Sequence, residues 1–182
     1  MTLLVIGLII WFAAHLFKRV MPDARARLGD KGKGLIALLL LLSVVLMVLG
    51  YRAAEYTHLW DTPAWGKPVN NVLVLFALYF TSPGPKKGAI FYGLRHPMLI
   101  GVALWAIAHI LVNGDIASAV LFGGLWVWTL IEIRVINRAE PAWEPNPKGT
   151  IAKDAMFLAI SVLLLGVIGA IHMLFGLNAF GG

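Results

Sequence analysis

Five side chains able to do chemistry fall within or at the ends of apolar stretches of this sequence: His15, His96, His109, Glu132 and His172. A polar group is costly in a lipid interior, so each is a candidate for function. Imidazole is the commonest protein metal ligand and can hold haem iron axially. His109 follows Trp105 at i+4 in an otherwise apolar run, and His15 follows Trp11 at the same spacing. A histidine so placed either pairs with a carbonyl or hydroxyl or binds something. The plain reading makes His109 an interhelical hydrogen-bond donor and puts His15 and His172 at the membrane interface. His58 lies apart from these, in a loop.

Arg95-His96-Pro97 is the second cluster. Proline suits the first turn of a helix, where its missing N–H does no harm. Arg95 and His96 then stand at a helix N-terminus, which favours a phosphate or carboxylate. A plainer role is snorkelling of Arg95 to lipid headgroups. His109 is thirteen residues further on, about 20 Å along the axis and on a nearly opposite face. His96 and His109 therefore cannot grip one small ligand directly. Glu132 and Arg134, two residues apart, do not face each other on a helix, so Glu132 is expected to pair with Arg95 instead.

Other chemistries are excluded. There is no cysteine, hence no disulfide, thiolate metal site or cysteine nucleophile. No serine has a histidine at helical spacing, and no zinc-protease, P-loop or dinucleotide fingerprint occurs.

These residues must be positioned by apolar elements. Hydrophobic residues make up 60% of the chain and charged residues 13%. That apolar excess exceeds what a water-soluble domain carries. It falls in six blocks, near residues 2–17, 34–53, 69–82, 94–112, 116–136 and 153–176. No strand-like alternation of barrel length occurs, so the expected fold is all-α, a polytopic bundle of about six transmembrane helices forming one domain over 1–182. The first block lacks a basic leader and an A-x-A site, and reads as a retained span, not a signal peptide. The third ends at Ser82-Pro83-Gly84-Pro85, a strong helix stop.

The net charge of +6 sits in loops, with no aromatic–basic stripe, so a membrane orientation signal is favoured over nucleic acid. Loop one holds Lys18, Arg19, Arg25, Arg27, Lys31 and Lys33; loop three holds Lys86, Lys87 and Arg95. Loop five holds Arg134, Arg138, Lys148 and Lys153, whereas the opposite side carries only Arg52 and Lys67. This bias predicts both termini on the non-cytoplasmic side. Trp60 and Trp65 flank the outer loop, where an aromatic belt is expected, and the indoles of Trp126 and Trp128 inside block five need partners. Pro141 to Gly149 reads as a proline-rich turn.

Three segments together resemble the NnrU family: A-A-H-L-F-K-R ending block one, W-D-T-P-A-W-G at 60–66, and R-H-P-M-L-I-G-V-A-L-W-A-I-A-H-I-L-V-N-G-D at 95–115. The likeness runs from Met1 to about Arg138. It implies a multi-pass protein of the bacterial inner membrane linked to nitrite and nitric oxide reduction. The family is similar to the plant zeta-carotene isomerase, a haem b protein with histidine ligation. That likeness implies iron bound by His15 and His109, with His96 matching the R-H-P histidine and Arg95 beside the cofactor. By depth along their helices, His15 with His96 and His109 with His172 are the alternative pairs.

Three functions follow as expectations. The first is a haem-associated membrane protein acting on nitric oxide or a hydrophobic small molecule, as redox component, isomerase or accessory factor. The second follows from R-H-P-x-x-x-G, which is also similar to membrane methyltransferases of the isoprenylcysteine carboxyl type; Arg95, His96 and Glu132 would then line an S-adenosylmethionine cleft. The third is a non-enzymatic assembly subunit.

Overall fold

The computed structural model describes residues 1–179 and is helical throughout, with no β-strand among the described residues and a single isolated bridge between His58 and Asp115. Eight helices follow in order: α1 (Thr2–Val20), α2 (Pro22–Arg27), α3 (Lys31–Arg52), α4 (Gly66–Thr81), α5 (Gly84–Lys87), α6 (Pro97–Val112), α7 (Ile116–Ala139) and α8 (Ile151–Leu174). The six apolar blocks became the six long helices, and the two short ones lie in basic loops. Helices α1, α3, α7 and α8 are long and apolar enough to cross a membrane. Helices α4 and α6, at 16 residues each, are shorter. At 1.5 Å per residue they reach about 24 Å, short of a hydrocarbon core of about 30 Å. Ile9, Leu38, Leu41 and Leu163 are largely exposed, as lipid-facing side chains should be.

The chain packs as two compact units drawn from alternating segments. Unit 1 comprises Met1–Leu59 and Asp115–Pro141; unit 2 comprises Trp60–Gly114 and the chain from Ala142 onward. In unit 1, α1 is central and packs along α3 and against α7. The α1–α3 crossing is close because Gly50 has no side chain: a Cβ there would strike the backbone of Leu4, itself fully buried. Lipid gives helices no hydrophobic drive to associate, so close backbone approach through small residues carries much of the packing.

In unit 2, α4 is central and packs against α6 and α8. The point that ties its segments together is Asp154, which is 5% exposed in the first turn of α8. Its Oδ2 accepts from the backbone N–H of Ala89 at 2.7 Å and of Ile90 at 3.2 Å, while Oδ1 accepts from the Tyr79 hydroxyl. Gly88 lies flat against the carboxyl group, and its backbone oxygen accepts from Gly149 N–H at 2.9 Å. One carboxylate thus joins α4, the turn after α5 and α8.

Removing that acceptor strands buried donors, each costing about 1–3 kcal/mol. Asp154→Ala should therefore lower stability by about 3–5 kcal/mol, a value expected only where a buried network is lost. Asp154→Asn, which turns a donor toward donors, should fall between it and the wild type. Thermal unfolding of the detergent-solubilised protein reads both, and a Tm unchanged in Asp154→Ala would refute this role.

Candidate functional site

Helix α1 carries Trp11, His15 and Arg19 at successive steps of four, which places them on one face. Helix α7 presents Trp128 and Glu132 with the same spacing. The two stripes mesh within unit 1. The His15 ring lies 4.2 Å from Trp11 and 4.6 Å from Trp128, centroid to centroid, and the two indoles meet edge-on at 5.2 Å. One helical turn further, Arg19 Nη1 donates to Glu132 Oε1 at 3.0 Å. Arg19 Nε lies 3.6 Å from Glu140 Oε1.

This pairing corrects an expectation. Glu132 meets Arg19, not Arg95. The sequence separation of 113 residues hid the partner, and the fold brings α7 to α1 within the same unit. Arg95 and Glu132 belong to different units. Trp11, Arg19 and Trp128 were absent from the sequence-based candidates. The signal available for them was the shared step of four on two apolar blocks.

His15 is anchored in a way that fixes its chemistry. Its Nδ1 is 3.0 Å from the carbonyl of Trp11, one turn back. A carbonyl only accepts, so Nδ1 carries a proton, and in the neutral ring Nε2 carries the lone pair. Helix α6 in unit 2 repeats the arrangement. His109 Nδ1 lies 2.8 Å from the Trp105 carbonyl, and its ring stands 4.8 Å from the Trp105 ring. The interplanar angles, 45° for Trp11–His15 and 48° for Trp105–His109, are nearly equal. The sequences W-F-A-A-H at 11–15 and W-A-I-A-H at 105–109 are two copies of W-x-x-A-H. His172 on α8 also donates through Nδ1, to Ile168 O at 2.8 Å, but without a tryptophan. It belongs to the same unit as His109.

Arg95 and His96, both half-buried, stand at the start of α6, where His96 takes the N-cap position and Pro97 the first turn. His96, Arg95 and His109 thus share unit 2 and one helix with its approach, whereas His15 is in unit 1. No group of three or more His, Asp or Glu side chains able to hold a metal by themselves occurs among the described residues.

The remaining signature segments build turns. Asn113 donates to His109 O at 2.8 Å and closes the end of α6. At Gly114 a Cβ would collide with the Trp60 carbonyl, and Trp60 N–H donates back to Gly114 O at 3.3 Å. Asp115 caps α7 by accepting from Ser118 N–H at 2.9 Å, and the Ser118 hydroxyl in turn meets Tyr51 OH at 2.8 Å. Thr62 Oγ1 donates to Val112 O at 3.0 Å. N-G-D and W-D-T-P-A-W-G are therefore parts of the loops that fix the last turn of α6, which carries His109.

Truncating one partner of a buried ion pair costs more than replacing both by apolar groups. Arg19→Ala, which strands a carboxylate whose side chain is 5% exposed, should destabilise by about 3 kcal/mol. Arg19→Met with Glu132→Leu should restore most of that loss. A double-mutant cycle on Tm checks the pair, and purely additive losses would refute the coupling.

A family model described as NnrU protein matches residues 3–179. No curated protein matches the chain, and no solved structure matches it.

Proposed function

Because the chain belongs to the NnrU family, we propose that it is a multi-pass protein of the bacterial inner membrane that binds haem b through histidine, with His15 and His109 as the candidate ligands, and serves nitrite or nitric oxide metabolism. The observation that carries this reading is the recurrence of W-x-x-A-H with one local geometry. Histidines that bind metal commonly give their other N–H to a backbone carbonyl, which sets the tautomer and raises the basicity of the ligating nitrogen. Both histidines are held that way, so each would bind iron through Nε2. The tryptophan beside each ring restricts its rotation and keeps the surroundings apolar.

The donor set fits haem iron better than a small bare cation. Imidazole nitrogens suit iron, whereas calcium or magnesium would need clustered oxygen ligands. Haem bound there would supply one-electron chemistry. The protein's own contribution is to exclude water and fix the imidazole rings. Arg95 and His96, at the N-terminus of α6, would offer positive charge to an anionic group of cofactor or substrate.

Protein purified from haem-supplied cells should show a Soret band and a positive pyridine haemochromogen assay. His15→Ala and His109→Ala should each reduce haem retention by at least about tenfold. His58→Ala, in the exposed loop, should leave it unchanged. Wild-type protein free of haem, or full retention in both variants, would overturn the proposal.

The loop charges set the orientation we propose, with both termini outside the cytoplasm. A reporter that folds only in the cytoplasm should be active when fused after Lys87 and inactive at the C-terminus; the reverse pattern would invert the topology.

A further inference from the structure

Beneath His15, unit 1 holds a cleft of about 400 Å³ between the end of α1, α2 and the start of α3. Its rim is cationic: Lys18, Arg19, Arg25 and Lys33. Its wall is apolar, formed by Ala14, Ile36, Ala37 and Leu40. No carboxylate lines it. Arg19 is engaged by Glu132 and Glu140. Lys33 meets Asp30 at 3.1 Å, but both side chains are more than three-quarters exposed, and such a pair holds weakly. Arg25 Nη1 donates only to the Gly29 carbonyl, at 3.2 Å, and Lys18 faces no carboxylate within ion-pair distance. The cleft is thus a concentration of positive charge over an apolar floor, at the end of a membrane-length helix.

We propose that this cleft binds one anionic phospholipid, its phosphate held by Lys18, Arg25 and Lys33 and the first carbons of an acyl chain lying along Ile36 and Leu40. Charge selects the head, and the wall selects a molecule with an apolar body. A free phosphate would satisfy only the rim. The proposal is independent of haem binding, although His15 borders the cleft.

Native mass spectrometry of the full chain, titrated with phosphatidylglycerol or phosphatidylcholine in detergent, tests it. One phosphatidylglycerol should be retained about tenfold more tightly than phosphatidylcholine. Lys18→Gln with Arg25→Gln should abolish that preference. Lys86→Gln with Lys87→Gln, which removes loop charge outside the cleft, should leave it intact. Excess inorganic phosphate should not displace the lipid. Equal retention of the two lipids, equal loss in both double variants, or displacement by phosphate would overturn the proposal. So would a Soret band lost in Lys18→Gln/Arg25→Gln without any change in lipid retention, since the cleft would then serve the haem carboxylates. Thermal unfolding of each variant separates loss of the site from loss of the fold.

Discussion

A polar group buried in lipid has no water to bond to, so its partner must come from the protein itself. That constraint organises this molecule. The hydroxyls of Ser43, Thr129 and Ser161 each turn back to a carbonyl three or four residues earlier. The histidines on α1, α6 and α8 do the same with Nδ1. Asp154 cannot be satisfied within its own helix and gathers donors from α4 and the turn beyond α5. Arg19 and Glu132 satisfy each other across α1 and α7. Among the described residues, five buried side-chain atoms leave this rule unfulfilled: Trp11 Nε1, Arg19 Nε, Trp128 Nε1 and Glu132 Oε2 on α1 and α7, and Asn70 Oδ1 on α4.

The sequence motifs divide between holding and building. W-x-x-A-H holds a ring at a fixed rotation, with one nitrogen committed and the other defined as the acceptor. N-G-D and W-D-T-P-A-W-G close turns, cap helices and admit a tight backbone contact. A motif match over these loops therefore reports that α6 ends and α7 begins in a set way. It reports on chemistry only through the histidine one turn earlier.

What could be seen in the sequence was whatever depends on neighbours along the chain. Apolar length set the six long helices to within a few residues, because burial in lipid demands long uninterrupted runs. Pro97 and Ser82-Pro83 marked a start and a stop because proline acts locally. Spacing of four placed Trp11 beside His15 and Trp105 beside His109. Long-range partners were hidden. Nothing local tells that Glu132 meets Arg19 in place of Arg95, since several cations compete and only the packing of α7 on α1 decides. Asp154 carries no local signal of its role, because an acidic residue in a first helical turn is ordinary. Its grip on Ala89, Ile90 and Tyr79 needs the fold of unit 2. Block three, read as 69–82, became a helix that begins earlier, at Gly66, while block four, read from 94, begins at Pro97, which fixes its start.

The interleaving of the two units has a consequence for biogenesis. Helices α1 and α3 leave the ribosome early, yet their third companion, α7, is made only after α4 and α6 have been inserted. Unit 2 in turn waits for α8, which follows α7 in the chain. Unit 1 cannot close before α7 is made, nor unit 2 before α8. Early intermediates must therefore persist in the bilayer with α1 and α4 each lacking a neighbour. A split of the coding sequence at any one loop between α3 and α8 would divide at least one unit between two polypeptides.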